Sequence, residues 1–121
     1  TMKIKSIFLI FVLIVLYSCT PTGLYYYGNY SNTLYNFKKA PTDKELLIHI
    51  EELDEIIKIS NKKKLRVPPG IYAELGFYYS QKEDFEKALE LYNLESITYP
   101  ESSKFMTILI ENIKSTTNIA N

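Results

Sequence analysis

From residue 42 onward, apolar positions recur every three or four residues in blocks that end at polar or Pro/Gly-rich breaks, and each block predicts a helix. In "TDKELLIHIEELDEIIKIS", residues 42–60, Leu46, Leu47, Ile50, Leu53 and Ile57 form a stripe at helical spacing, and Thr42 or Asp43 is placed to cap it. Ile48 and Ile59 fall on nearly the opposite side, which predicts cover from more than one direction. Pro68-Pro69-Gly70 interrupts the pattern, and Pro69 is expected to start the next helix. Residues 69–102 hold two further blocks separated by "QKED", with Asp84 placed to cap the second. The last block, "SSKFMTILIENIK" at 102–114, carries Phe105, Ile108, Leu109 and Ile113 as its apolar stripe, and the tail "STTNIAN" is expected to fray. The fold class is all-α, with four to five helices in a small antiparallel array over residues 42–117.

The start of the chain keeps a different pattern. Lys3 and Lys5 precede eleven apolar residues, 7–17, closed by Ser18. A charged head, an apolar run and a small residue is the layout of a secretory signal, and a run this short falls well below the roughly 20 residues that span a bilayer. Leu16-Tyr17-Ser18-Cys19 resembles the bacterial lipobox. The resemblance implies a signal peptide at 1–18 and a mature chain beginning at Cys19, whose thiol is acylated, palmitate being the usual kind of chain. Cys19 is the only cysteine, so no intramolecular disulfide competes for it. Two or three acyl chains anchor a protein in practice permanently. Thr20, rather than Asp, at the next position implies the outer membrane, with the chain facing the periplasm.

Residues 19–41 form the expected tether and a tyrosine-rich segment. Tyr25, Tyr26, Tyr27, Tyr30, Tyr35 and Phe37 are too dense for a flexible linker and follow no clear period. Two readings stand side by side: an exposed aromatic platform for a partner, a glycan strand or the membrane interface, or a segment that wraps back and packs its rings on the helices. Composition narrows the function classes. The mature part carries two more acidic than basic side chains, which gives no basic face for nucleic acid. The short basic run Lys62, Lys63, Lys64 and Arg66 sits at a helix C-terminus, where the macrodipole favours cations. His49 is the single histidine and reads as a partly buried structural residue rather than a metal ligand. Glu51, Glu52, Asp54 and Glu55 read as a solvated helix face rather than paired acids. No catalytic residue, metal, cofactor or small-molecule substrate is expected, and an envelope hydrolase is the less favoured class.

Tyr72, Leu75, Gly76 and Tyr79 in the first half of residues 69–102, with Ala88, Tyr92 and Pro100 in the second, resemble a tetratricopeptide repeat. Gly76 and Ala88 would let the two helices cross closely, with Leu75, Tyr79, Phe85, Leu89 and Tyr92 filling the wedge around them. Glu95 departs from the repeat, which prefers alanine there. By this resemblance Ala73, Phe77, Ser80 and Gln81 line a partner-binding face, and Tyr25, Tyr26, Tyr27 and Tyr30 make a second candidate surface. A wider resemblance rests on Tyr27-Gly28-Asn29-Tyr30, Leu34-Tyr35, residues 68–74, Gly76 and residues 99–106 taken in order. Together with the lipobox they are similar to the bacterial lipoprotein family DUF4810, whose members often stand beside a lipoprotein like the curli secretion channel. The resemblance implies an assembly subunit of a cell-envelope complex, bound to other envelope lipoproteins, and no catalytic residues. The alternative is a structural lipoprotein that binds peptidoglycan or another glycan.

Overall fold

The computed structural model describes residues 1–8 and 23–119. Residues 2–8 are helical. Five helices follow: α1 (Tyr30–Lys39), α2 (Asp43–Lys62), α3 (Ile71–Gln81), α4 (Phe85–Thr98) and α5 (Ser103–Ile119), the last two joined through a short 3-10 turn at Pro100–Ser102. Each helix packs on the next one in the chain, so the array grows in sequence order from α1 to α5. No helix among the described residues is long and apolar enough to cross a membrane. The proposed signal and Cys19 fall on residues of which 9–22 lie outside the described ones.

The boundaries follow local chemistry. Thr42 accepts a hydrogen bond from the Glu45 amide at 3.3 Å and starts α2, and Asp84 does the same for α4 through the Lys87 amide at 3.2 Å. Pro69 is not the first helical residue: Gly70 caps α3 in the left-handed conformation, φ 86°, and has no side chain to satisfy the free amides. Glu95 of α4 supplies the missing acceptor, its Oε1 lying 2.9 Å from the Gly70 amide. Burial pushes the Glu95 carboxyl above the usual range, and the amides of Gly70, Ala73 and Tyr72 draw it back. The residue that departs from the repeat pattern thus caps the neighbouring helix from a buried position.

Helices α2 and α3 end alike. The Lys64 amide bonds Asn61 O and the Leu65 amide bonds Ser60 O; the Glu83 amide bonds Ser80 O and the Asp84 amide bonds Tyr79 O. These are Schellman motifs, which favour glycine at the left-handed position, yet Lys64 (φ 55°) and Glu83 (φ 61°) occupy it. Relieving a left-handed backbone outweighs the extra freedom glycine gains in the unfolded chain. Glu83→Gly and Lys64→Gly are each expected to raise unfolding free energy by about 0.5–1 kcal/mol, read by urea titration.

Two apolar clusters hold the array. Ile50, Leu53 and Ile56 of α2 meet Ile71, Tyr72 and Leu75 of α3, Val67 of the loop and Leu91 of α4. Ala88 and Tyr92 of α4 meet Met106 and Ile113 of α5. Tyr79 packs against both clusters and joins them. A methyl group on Gly76 would stand 2.9 Å from the Tyr92 ring, so the α3–α4 crossing depends on the missing side chain there.

Several expectations shift. The buried line of α2 runs through His49, Leu53, Ile56 and Ser60, while Leu47 and Ile48 face outward. On α5 the buried residues are Met106 and Ile113; Phe105 and Ile108 are exposed, because α4 covers only one side of this last helix. The last helix runs beyond its predicted end at 114: α5 continues to Ile119, with the hydroxyls of Ser115, Thr116 and Thr117 bonded back to the Asn112 and Lys114 carbonyls. Helix α1 lies inside the tyrosine-rich segment, where no helix was expected.

Candidate functional site

The tyrosine-rich entry wraps onto the helices through a buried polar joint. Thr33 of α1, His49 of α2 and Glu74 of α3 meet in a line: Thr33 Oγ1 lies 2.8 Å from His49 Nδ1, and His49 Nε2 lies 3.0 Å from Glu74 Oε1. The Tyr30 hydroxyl donates to Glu74 Oε2 at 2.8 Å, and the Tyr78 hydroxyl is drawn to the same carboxylate. His49 is fully buried, more so than the sequence suggested, with the Tyr30 and Tyr78 rings against its own. Burial first, and then Glu74, raise the Tyr30 phenol far above its usual range.

A hydroxyl, an imidazole and a carboxylate in that order are the parts of an acyl-transfer triad, but the placement is that of a structural joint. Thr33 is buried, and its hydroxyl lies 3.1 Å from the Tyr30 carbonyl as well as against His49. With the ring proton on Nε2, Thr33 donates to Nδ1; with both nitrogens protonated, Thr33 accepts from Nδ1 and donates to the Tyr30 carbonyl. Glu74 accepts from Nε2 in either state, so every member stays satisfied. The joint ties three helices through residues 16 and 25 positions apart. Among the described residues, no group of three His, Cys, Asp or Glu side chains is placed to hold a metal ion.

A second joint fixes the turn into α1. Glu52 Oε1 accepts from the Asn29 amide at 2.6 Å, and Gly28 (φ 48°) leaves no room for a side chain between that carboxylate and the Tyr26 ring. Sequence reading counted Glu52 among solvated carboxylates, and its distance of 23 positions from Asn29 hid this contact. Tyr26 and Tyr30 pack on the first cluster, Tyr25 is half-buried, and Tyr27 and Tyr35 remain exposed.

Of the repeat-face residues, Phe77, Ser80 and Gln81 come together along an open groove of about 420 Å³ between α3, α4 and α5. Phe85 and Leu109 supply apolar lining, and Asn112 and Thr116 supply polar edges. Phe77 is 48% exposed and stands edge-on to Tyr78. The Ser80 hydroxyl donates to the Phe77 carbonyl, and Ala73 is half-buried against the second cluster, away from the groove lining. Leu109, Asn112, Ile113 and Thr116 of α5 build the groove's far wall, and of these Thr116 alone lies beyond the predicted end of the helix at 114.

A small all-helical array with a tied-down aromatic entry and an open groove is the class these features define. The family model described as "Domain of unknown function (DUF4810)" matches residues 24–109, and the chain belongs to that family. The match begins in the tyrosine-rich entry and ends within α5. No curated protein and no solved structure matches the chain.

Proposed function

We propose that the protein is a lipoprotein anchored through acyl groups on Cys19 in the outer membrane, facing the periplasm, and that it serves as a non-catalytic docking subunit of a cell-envelope complex. The observation that carries this reading is the groove between α3, α4 and α5. It brings Phe77, Ser80 and Gln81 to one open surface whose lining mixes aromatic and aliphatic side chains with hydroxyl, amide and carboxylate groups. Exposed aromatic anchors beside polar hydrogen-bonding groups are what a protein partner uses. Phe105 and Ile108 on the outer side of α5 extend the apolar surface available to a partner. The hairpin of α3 and α4 is the tetratricopeptide-like unit of the array, and the partner is a second envelope lipoprotein, of the channel-forming kind that the family resemblance implies.

The test is capture in mild detergent from the protein's own membranes, followed by affinity measurement with the purified channel-like lipoprotein. Phe77→Ala is expected to weaken binding by about 2 kcal/mol, roughly thirty-fold, with the fold intact by circular dichroism. Cys19→Ala is expected to lose membrane retention and acylation of the mature N-terminus. Unchanged affinity for Phe77→Ala would remove the groove reading. Binding of purified sacculi that depends on the exposed Tyr27 and Tyr35 would replace it with the glycan-binding alternative.

A further inference from the structure

The loop after α2 and the entry to α1 are far apart in sequence but meet at one end of the array. Lys63 Nζ lies 4.9 Å from the centre of the Tyr26 ring. The Arg66 guanidinium stacks 4.3 Å from the Tyr99 ring and donates to the Thr98 carbonyl, while the Tyr99 hydroxyl donates to Val67 O. Tyr25 and Tyr27 pack edge to face, 6.1 Å apart. Lys62, Lys63, Lys64 and Arg66 are all exposed, as are Leu24 and Tyr27, and neither residues 24–27 nor 62–66 include an acidic side chain. None of the four cations takes part in an ion pair among the described residues. Lys64 also keeps a left-handed backbone that glycine would hold at less cost.

We infer that this patch is a membrane-facing surface that binds the anionic phosphate headgroups of the bilayer beside the anchor. The inference rests on the proposed acylation of Cys19. Five residues separate Cys19 from Leu24 inclusive of the latter, and an extended chain of that length reaches about 17 Å. The folded body therefore begins within about two Debye lengths of the headgroups. The surface it presents there combines amphipathic tyrosines, which favour the membrane interface, with cations on flexible stems that reach phosphate. Each basic residue near an anionic surface adds roughly five-fold in affinity. The consequence is orientation: an anchor alone leaves the array free to tumble, whereas this contact holds one end of it against the bilayer.

The test uses the full acylated protein, purified from membranes and reconstituted into vesicles of phosphatidylcholine alone or with phosphatidylglycerol. A limiting soluble acetylating reagent labels exposed lysines, and mass spectrometry reads Lys62, Lys63 and Lys64 against the exposed Lys38 and Lys104 as references. Labelling of the loop lysines is expected to slow several-fold in the anionic vesicles only, and to recover at high salt. Lys64→Gly, which the backbone accepts, is expected to weaken protection of Lys62 and Lys63 without loss of stability. Equal labelling in both vesicles, with Cys19 acylated, would overturn the inference and leave the lipoprotein reading standing. Equal protection by inorganic phosphate in detergent would make the patch a free-anion site and also overturn it. An N-terminal peptide without acyl groups would instead overturn the lipoprotein reading and the orientation with it.

Discussion

Replacing Glu74 by alanine is expected to lower the unfolding free energy by about 3 kcal/mol or more. The carboxylate accepts from His49 and Tyr30. Its removal leaves a fully buried imidazole with an unpaired nitrogen and a half-buried phenol without an acceptor. Each orphaned group costs about 1–3 kcal/mol, and here two are orphaned at once. Glu74→Gln keeps an acceptor and is expected to cost less than Glu74→Ala, although one amide hydrogen then points at a donor. Urea unfolding followed by far-ultraviolet circular dichroism measures both. Because the joint is what holds α1 to α2 and α3, hydrogen exchange in residues 30–39 is expected to rise more than in α4. A loss below about 1 kcal/mol would mean that the apolar contacts of Tyr26 and Tyr30 suffice to hold the entry.

The second large effect lies at alkaline pH. Burial raises the phenols of Tyr30, Tyr72, Tyr78, Tyr92 and Tyr99 above the ordinary value of 10.0. Glu74 adds to this for Tyr30 and Tyr78, and Tyr25 adds to it for Tyr99. In the folded state these groups keep their protons where the unfolded chain has lost them. The native state then binds more protons, so stability is intact below about pH 10 and falls as pH rises beyond it. A fully buried phenol contributes about 1.4 kcal/mol per pH unit in that window. Tyr92 and Tyr99, both nearly inaccessible, carry this most fully. Tyrosinate absorbance and circular dichroism recorded together test it: ionisation of the buried set should coincide with loss of helix. Tyr99→Phe should make the decline shallower while costing about 1 kcal/mol at neutral pH, since Val67 O loses its donor. Tyrosines that all ionise near pH 10 with the helices intact would contradict the buried placement.

The helices that announce themselves carry their own local devices. Thr42 and Asp84 sit beside apolar residues at helical spacing, so α2 and α4 were legible from residues a few positions apart, whereas α3 was legible in its apolar spacing but not in its cap. Helix α1 was not, because its N-cap, Asn29, makes no side-chain cap bond and its tyrosines follow no period. Glu52, from 23 positions away, satisfies the Asn29 amide instead, and Thr33 is held by His49. The outer residues of the stripes misled for a related reason. Periodicity identifies the apolar side of a helix but not how much of it a neighbour covers, so Leu47 on α2 and Phe105 and Ile108 on α5 stayed exposed.

The candidate groove divides the same way. The repeat resemblance put Ala73, Phe77, Ser80 and Gln81 on one face of α3, and all but Ala73 line the groove. Their opposing wall is Leu109, Asn112, Ile113 and Thr116, all but the last within the predicted helix, and it faces them only because α5 packs on α4, which spacing along one helix does not report. Sequence by itself determined the all-helical class, most boundaries and the family, since caps, breaks and ordered motifs are local or linear signals. Tertiary structure alone decided that His49 answers to Glu74, that Glu95 caps α3, and that Lys63 meets Tyr26. Those pairings depend on how helices cross, and helix crossing is set by packing of the whole array rather than by any segment within it.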